Sequence, residues 1–595
     1  MVKLMSNKFN KLFIVVFLLT LSLASGAWGE VETVYVSVAG GTYDAGNNSD
    51  GSSWANAYTT IQAAYNSLDA TDDADTIILD PTDDFVEDDI NFAASKDAGS
   101  VAIKSATESP TACFITGTDG TATDSLIKGG EANTDFLFKG ITFRNHRVTD
   151  GDIIPVYFSY FASAGFEDCV FDNIDSDNTA DDKQQPIFDL GRYSAAGSDI
   201  TFDNCTIQNC DRTSVNGNVT GGTLVRARAP ADLIVTDSTF SACTAAASGI
   251  GSMRGMFYVE GTVTLNGANT FQNLDTSTTT GVAHGVFRIV ATGNPVCTIS
   301  GINVFDNCDV SSTTADVNAA VLSCAGTGTI GGTFELKNCD ATTTSGNVTQ
   351  MLVADSDTGM LTITGPNVLI HDNTAHGDGG IVGISQGGNI ILDKIKVYNN
   401  TVTNTAAVRL GGWTAGSTIK NSLIYNNTSS AANGGGIYLM LHSTATEDTV
   451  HNIYNCTLYG NSATTASNDD GIFVNRDATS GFALTVNVTN CILWNQADND
   501  EIFADSDSTL NVTYSIIRGG TGALTEADST TGVISYDPLL NGNLIPLNYN
   551  KCLLGADVSL TEDFNGDTVP KNGKYPIGAY LPRTRPWMFI DGIIQ

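Results

Sequence analysis

A single-stranded right-handed parallel β-helix, an all-β solenoid of about 13 or more coils, is the fold class that this 595-residue chain predicts. Three observations predict it. The first is a short phrase, an apolar residue, a variable one and then usually asparagine, that recurs thirteen times. Its apolar members, the anchors, are Phe143, Phe171, Ile207, Phe240, Phe271, Phe305, Leu336, Ile370, Val397, Ile424, Leu458, Leu493 and Ile517. Two residues later stand Asn145, Asn173, Asn209, Asn273, Asn307, Asn338, Asn399, Asn426 and Asn495, with Ala242, Asp372, Gly460 and Gly519 in the other four turns. The anchors span 374 residues in twelve steps, about 31 residues per repeat, which lies in the range of solenoids, propellers and arrays. The second observation is alternation upstream of the anchors, as in Ile200-Thr201-Phe202 and Leu233-Ile234-Val235, which is the two-residue period of half-buried strands. The third is an earlier apolar run whose spacing tracks the anchors: Ile187, Thr223, Met256, Val286, Ala320, Met351, Ile381 and Val408 are 36, 33, 30, 34, 31, 30 and 27 residues apart.

The asparagine column has a backbone cause. Asn tolerates the left-handed conformation that a sharp corner needs, and its amide can bond to its copy one coil away. Stacked corners form a ladder, and thirteen coils at about 4.8 Å make a rod roughly 60 Å long. Propellers would carry tryptophan-aspartate or kelch marks, and leucine-rich repeats a leucine grid. This sequence has neither.

The first 29 residues carry Lys3, Lys8 and Lys11, an apolar run from Leu12 to Leu23, and small residues from Ala24 to Ala27. That is the pattern of a secretory signal peptide. No later stretch reaches the roughly 18 apolar residues of a membrane span, so the expectation is an exported, secreted or cell-surface protein without a transmembrane segment after cleavage. The whole chain has 28 basic and 65 acidic residues and a net charge of −37. Nucleic acid is then excluded as an expected partner. Acidic pairs such as Asp72-Asp73, Asp181-Asp182 and Asp469-Asp470 read as a solvated skin. Structural calcium is the alternative reading of that density, although no loop has a recognised ligand spacing, and no other cofactor is required.

Eight of the twelve cysteines occupy repeat-equivalent positions on consecutive coils. Cys169 and Cys205 lie two before their anchors, as do Cys456 and Cys491; Cys210 and Cys243 lie three after, as do Cys308 and Cys339. Each pair should stack, either as a disulfide with local adjustment or as neighbouring buried thiols that act as small hydrophobes. Cys113, Cys297, Cys324 and Cys552 have no evident partner.

A solenoid needs caps at its ends. Val34–Ser37 reads as a strand, and Ala55 to Leu68 as a helix with Ala57, Ile61, Ala64, Tyr65 and Leu68 on one face. The expected organisation is a leader over 1–29, an N-terminal cap and first coils over 30–125, the β-helix over 126–530 and a C-terminal capping segment over 531–595.

Here the residues carry a resemblance. Tyr35-Val36-Ser37, the stretch from Asp50 to Tyr58 and Thr60-Ile61-Gln62-Ala63-Ala64 resemble the opening of secreted bacterial right-handed β-helix proteins with a pectate-lyase-like fold. Asp537-Pro538-Leu539, Asp563-Phe564-Asn565-Gly566 and Ile577-Gly578-Ala579-Tyr580 resemble the closing segment of choice-of-anchor Q proteins. Cys552-Leu553-Leu554-Gly555-Ala556 departs from the serine-proline phrase usual there, and fifteen residues follow Tyr580. The resemblance implies a fold and a surface location, not an activity.

Polysaccharide lyases and glycoside hydrolases share this architecture and need clustered carboxylates with an Arg, Lys or His. Asp168, Asp172 and Asp203 with Arg144 approach such a cluster but fall at corners, and His284 and His376 read as structural; the catalytic and metal residues stay unassigned. The best ligand-binding candidates are basic residues recurring in the strands before the anchors: Arg226, Arg228, Arg254, Arg288 and Arg409, with Arg192 and Arg476, and Tyr193, Tyr258, Trp413 and Tyr438 nearby. On one face they would form a cationic stripe for an anionic glycan; local ion pairing is the alternative. The expected function is recognition or adhesion with a polysaccharide or cell-surface glycan as partner. A lyase or hydrolase acting on an acidic glycan is the runner-up. A structural surface-layer or filament role, through Trp587-Met588-Phe589-Ile590, is the third reading.

Overall fold

The computed structural model describes residues 32–582 apart from 39–50, 69–73, 93–98, 118–123, 130–133, 150–152, 160, 179–185, 192–197, 215–223, 249–252, 291–294, 319–320, 346–347, 349, 355–358, 385–387, 413–415, 431–433, 465–469, 496–499, 548–551, 554, 556–560 and 570–574. Residues 1–29, expected as a leader, and the Trp587–Ile590 segment lie outside the described residues. What is described is an all-β parallel solenoid, with one sheet of 15 strands and one of 37. A representative turn runs from Val225–Ala227 in the 15-stranded sheet to Asp232–Thr236, then to Thr239–Ser241 around its anchor, then to Thr244–Ala247. The last three belong to the larger sheet.

All thirteen anchors pair in unbroken register, Phe143 to Phe171, Phe171 to Ile207 and so on to Leu493 with Ile517. Phe85 and Ile115 extend the column before Phe143. The sequence misses these two rungs because the residues two after them, Glu87 and Gly117, break the asparagine phrase. The expected turn count is therefore matched only roughly. The earlier apolar run is offset as well: the residues in register are Phe188, Val225, Phe257, Phe287, Leu322, Leu352, Val382 and Val408. Thr223 and Ala320 lie outside the described residues.

Twelve of the thirteen residues two after the anchors have positive φ, from 52° at Asn273 to 80° at Gly519. This is the left-handed corner that Asn and Gly tolerate best. Only part of this exposed column bonds to itself: Asn173 Nδ2 donates to Asn145 Oδ1 at 3.1 Å and Asn307 to Asn273 at 2.9 Å. Asn209 and Asn338 donate instead to Asp172 and Asp306 one turn away.

The continuous ladder is a different column, one residue further on and buried. Asn373 Nδ2 donates to Asn400 Oδ1 at 3.0 Å, Asn400 to Asn427 at 2.9 Å, Asn427 to Asn461 at 3.0 Å and Asn461 to Asn495 at 2.9 Å. Each backbone N–H from Asn373 to Asn461 donates to the next Oδ1 as well. The ladder has a direction. Every acceptor faces back toward the N-terminus, so its last member leaves donors unmet, and Glu501 accepts them, from Asn495 N at 2.9 Å and Nδ2 at 2.7 Å. Burial pushes the Glu501 carboxyl up to about 7. Asn495, read from sequence as a corner residue, is the exception to the positive-φ column: its turn lacks the corner residue, and it is buried in the ladder.

Earlier in the rod the same inner position holds Cys210, Cys243, Leu274, Cys308 and Cys339, all buried. Each of the four thiols points at the anchor carbonyl one turn before, as Cys308 does at Phe271 O at 3.4 Å. All twelve cysteines are buried and unbridged in this structure, and Cys169/Cys205, Cys210/Cys243, Cys308/Cys339 and Cys456/Cys491 are neighbours as the spacing predicts. Cys297 and Cys324, expected to stand alone, are hydrogen-bonded neighbours. Gly328, the rung after Cys297, has no side chain, and a Cβ there would lie 3.3 Å from Cys324 Sγ.

A continuous apolar core runs from Val34 to Ile517. In its first part phenylalanines stack on their copies, Phe143 on Phe171 at 4.7 Å, Phe257 on Phe287 at 4.3 Å and Phe271 on Phe305 at 4.6 Å. After Leu336 the anchors are aliphatic. At the N-terminal end the helix is shorter than expected, Ile61–Ser67, because Thr60 caps it with Oγ1 on Ala63 N at 3.1 Å and Tyr58 bridges in extended form to Val36. Its face is the expected one: Ala57, Ile61, Ala64, Tyr65 and Leu68 are buried, and the Tyr65 hydroxyl donates to Phe92 O at 2.8 Å.

The C-terminal segment differs from a terminal plug. It runs back along the outer wall of the anchor strands as a strap, with Leu544, Ile545, Phe564 and Tyr580 packed on Leu423, and Cys552 and Ile577 on Ile492 and Ile516. The end motifs fix this strap. Asp563 accepts from Asn565 N, Asp567 N and Leu581 N at 2.9, 2.8 and 2.8 Å. Gly578, at φ 94°, lies so close to the rod that a Cβ would sit 2.6 Å from Ile492 Cδ1.

Candidate ligand-binding site on the 15-stranded sheet

Strands of three residues put their middle side chain outside when both neighbours point into the core. In the 15-stranded sheet that middle column reads, in register, Tyr157, Asp189, Arg226, Tyr258, Arg288, Ser323, Val353, Gly383, Arg409, Tyr438, Phe473 and Phe503. Of the recurring arginines, Arg226, Arg288 and Arg409 stand in this column, one strand earlier than the strand next to the anchors; Arg228 and Arg254 lie just outside the strands.

They do not share one fate. Arg228 lies just past its strand and clamps the buried Asp189 through Nε at 2.8 Å and Nη2 at 2.6 Å. Charge-assisted forks of this kind are strong and rigid, and Arg228 is spent on it. Arg409 stands four rungs beyond Arg288, beside Tyr438; burial lowers its affinity for the proton, and its Nε has no hydrogen-bond partner. Arg476 donates to the carbonyls of Phe482 and Ser480, a loop-closing role. Arg192, Tyr193 and Trp413 lie outside the described residues.

Arg226, Arg254 and Arg288 do converge. Their guanidinium carbons lie 5.9, 5.2 and 6.0 Å from the centroid of the Tyr258 ring, and Arg254 Nη1 donates to the Tyr258 hydroxyl at 2.9 Å. Ring quadrupole and cation attract at these distances. Glu260 approaches Arg226 at 3.7 Å, while burial, then Arg228, lowers the Arg226 affinity for its proton. His284 is buried against the cluster. Burial and the charges of Arg288 and Arg254 push its imidazole down to about 3, so it stays neutral, and its Nδ1 lacks a partner. Three guanidiniums thus gather around one phenol, with a neutral imidazole and the Glu260 carboxylate at the edge of the group.

Of the other sequence candidates, Asp168 lies at a corner, at φ 53°, and Asp172 and Asp203 lie in the strands Val170–Asn178 and Asp199–Asp203. Asp168 accepts from Asn204 Nδ2 at 2.5 Å and Asp172 from Asn209. Arg144 pairs with Asp84 at 2.8 Å and lies over the Phe114 ring. Among the described residues no group of three or more His, Cys, Asp or Glu is placed to hold a metal ion. Sequence reasoning missed His284 as a neighbour of the arginines, since it is set between Arg288 of its own turn and Arg254 of the turn before. It also missed the column one after the anchors, where His371, Tyr398, Tyr425, Tyr459 and Trp494 follow one another; reading the variable position of the phrase down the repeats would have found it. No protein-family model matches this chain, and no curated protein matches it.

Proposed function

We propose that this chain is an exported β-helix protein of the choice-of-anchor Q type whose work is recognition of an acidic glycan. The convergence of Arg226, Arg254 and Arg288 on Tyr258 carries the reading. On a chain of net charge −37, a polyanion is repelled by most of the surface, so a cluster of three guanidiniums selects where it docks. Guanidinium forks match carboxylate and sulfate geometry. The leader-like first 29 residues support export, and the end motifs support the family.

The test is retention of the mature protein on immobilised polygalacturonate, a sulfated glycan and a neutral glucan. Retention on the charged matrices, falling with salt and lost in the Arg254→Ala/Arg288→Ala double variant, is the expected result. Equal retention by the variant sinks the reading.

A glycan-cleaving activity is the second reading, favoured by one observation. Asp309 Oδ1 accepts from Asp340 N at 3.1 Å on the next turn, and burial raises both carboxyl groups. A carboxyl whose proton affinity is raised suits the general-acid role in glycoside hydrolysis. New reducing ends or the ultraviolet absorbance of unsaturated products, abolished in Asp340→Asn, would replace binding by catalysis.

A further inference from the structure

The strap along the anchor wall does more than cover apolar side chains. Where it begins to cover the column one after the anchors, it leaves a cavity of about 390 Å³ between rod and strap. Lys396, Leu423 and Tyr425 form its rod side; Asn543, Asn565 and Tyr580 form its strap side. On the rod, Tyr425 continues a stack in which His371 and Tyr398 lie 4.6 Å apart and Tyr398 and Tyr425 lie 4.9 Å apart, nearly parallel. Stacked this way, the rings spend their faces on one another and turn hydroxyl-bearing edges outward.

Three lysines stand near the strap, and they are treated differently. Lys394 pairs with Glu562 of the strap at 2.7 Å, and Lys420 with Asp393 at 3.4 Å. Lys396 makes no ion pair among the described residues; its ammonium lies 5.4 Å from the Phe564 ring, and burial lowers its affinity for the proton. An ammonium partly withdrawn from water without a carboxylate is held at a cost that an anion in the cavity removes. The side-chain amides of Asn543 and Asn565 and the Tyr425 hydroxyl make no hydrogen bonds with described residues, so donors and acceptors for a polyol surround the ammonium.

We propose that this cavity binds the anionic group of a small ligand, a single uronate sugar unit in its sugar form, with the charge at Lys396 and the hydroxyls at Asn543, Asn565 and Tyr425. The site is independent of the arginine cluster, which lies on another sheet. Because one half of the cavity is strap, the bound ligand joins strap to rod.

Calorimetric titration of the mature chain with galacturonate, galactose and sodium sulfate tests this. Galacturonate should bind, galactose should bind at least about tenfold more weakly, and sulfate alone should bind if the anion suffices. Lys396→Met should weaken galacturonate by about tenfold or more, Lys396→Arg should restore most of it, and Lys420→Met and Arg254→Ala/Arg288→Ala should leave it unchanged. Galacturonate should also slow amide hydrogen exchange at strap residues 541–547 and 561–569, a readout that does not depend on the variants. Absence of galacturonate binding by the parent chain, with or without sulfate binding, or undiminished binding by Lys396→Met, overturns the proposal, and neither result bears on the arginine cluster.

Discussion

From Cys210 to Cys339 the inner position after the corner is filled by thiols and one leucine; from Asn373 to Asn495 it is filled by amides. The task is the same in both halves, since the side chain points at the anchor carbonyl one turn before, Cys339 at Phe305 O at 3.9 Å and Asn400 at Ile370 O at 3.0 Å. The strength is not. A thiol is a weak donor and packs as a small hydrophobe. An amide donates twice and accepts twice, and buried in sequence it forms a chain of mutually satisfied bonds. The halves differ in their anchors in the opposite sense: the thiol half stacks phenylalanines, and the amide half stacks aliphatic residues. One fold thus holds its turns together by packing in one half and by directional bonding in the other, and the directional half requires a terminator, Glu501.

The comparison can be broken at its strongest point. Asn427→Leu strands the N–H of Asn400, takes from its Nδ2 one of three acceptors, and removes the amide that serves the Val397 carbonyl. At about 1–3 kcal/mol for each unmet buried group, a loss of about 4 kcal/mol is expected. Hydrogen exchange should localise it to the turns between Asn373 and Asn495; protection equal to the parent's would show that the ladder is incidental.

Glu501 supplies a pH test of the terminator. Its folded proton affinity, about 7, exceeds its ordinary value of 4.5, so the folded chain holds this proton where the unfolded chain has lost it. The stability so conferred is complete below pH 4.5 and is lost as pH rises through 7, a span worth on the order of 3 kcal/mol. Asp470 and Arg518 also act on this carboxyl. Buried His284 and His451, pushed down to about 3 and 4, act in the opposite direction below pH 6.5. The Glu501 contribution is therefore the difference between parent and Glu501→Gln urea midpoints across pH 4.5–7.5, and parallel curves would exclude it.

In the stacked half, Phe271→Leu removes contacts with Phe240 at 5.3 Å and Phe305 at 4.6 Å. A loss of about 1.5 kcal/mol by urea unfolding is expected from lost ring pairing and imperfect filling. The smallest effect belongs to Cys243→Ala, about 1 kcal/mol. If it matched Asn427→Leu, the two halves would not differ in the way described.

The solenoid, its anchors and the buried helix face were legible because a stacked coil writes its register into the period, and an apolar residue every turn has one place to go. The left-handed corners were legible because few residue types tolerate positive φ. The buried ladder was not. Asn373 and Asn400 follow asparagine-like corner residues by one position, and in sequence nothing separates an exposed amide from a buried one. The arginines were visible as a recurring type, yet Arg228 and Arg254 look alike until Asp189 is found clamping one of them.

What the sequence by itself determined is thus the repeat, the conformation of its corners and the composition of its core, because these are set by local sterics and by hydrophobic periodicity. The tertiary structure alone decided which amides join into a ladder, where that ladder stops, and which cations are paired with a carboxylate. Those outcomes depend on groups brought together from turns about 30 residues apart in sequence, and on whether water or a carboxylate reaches them first.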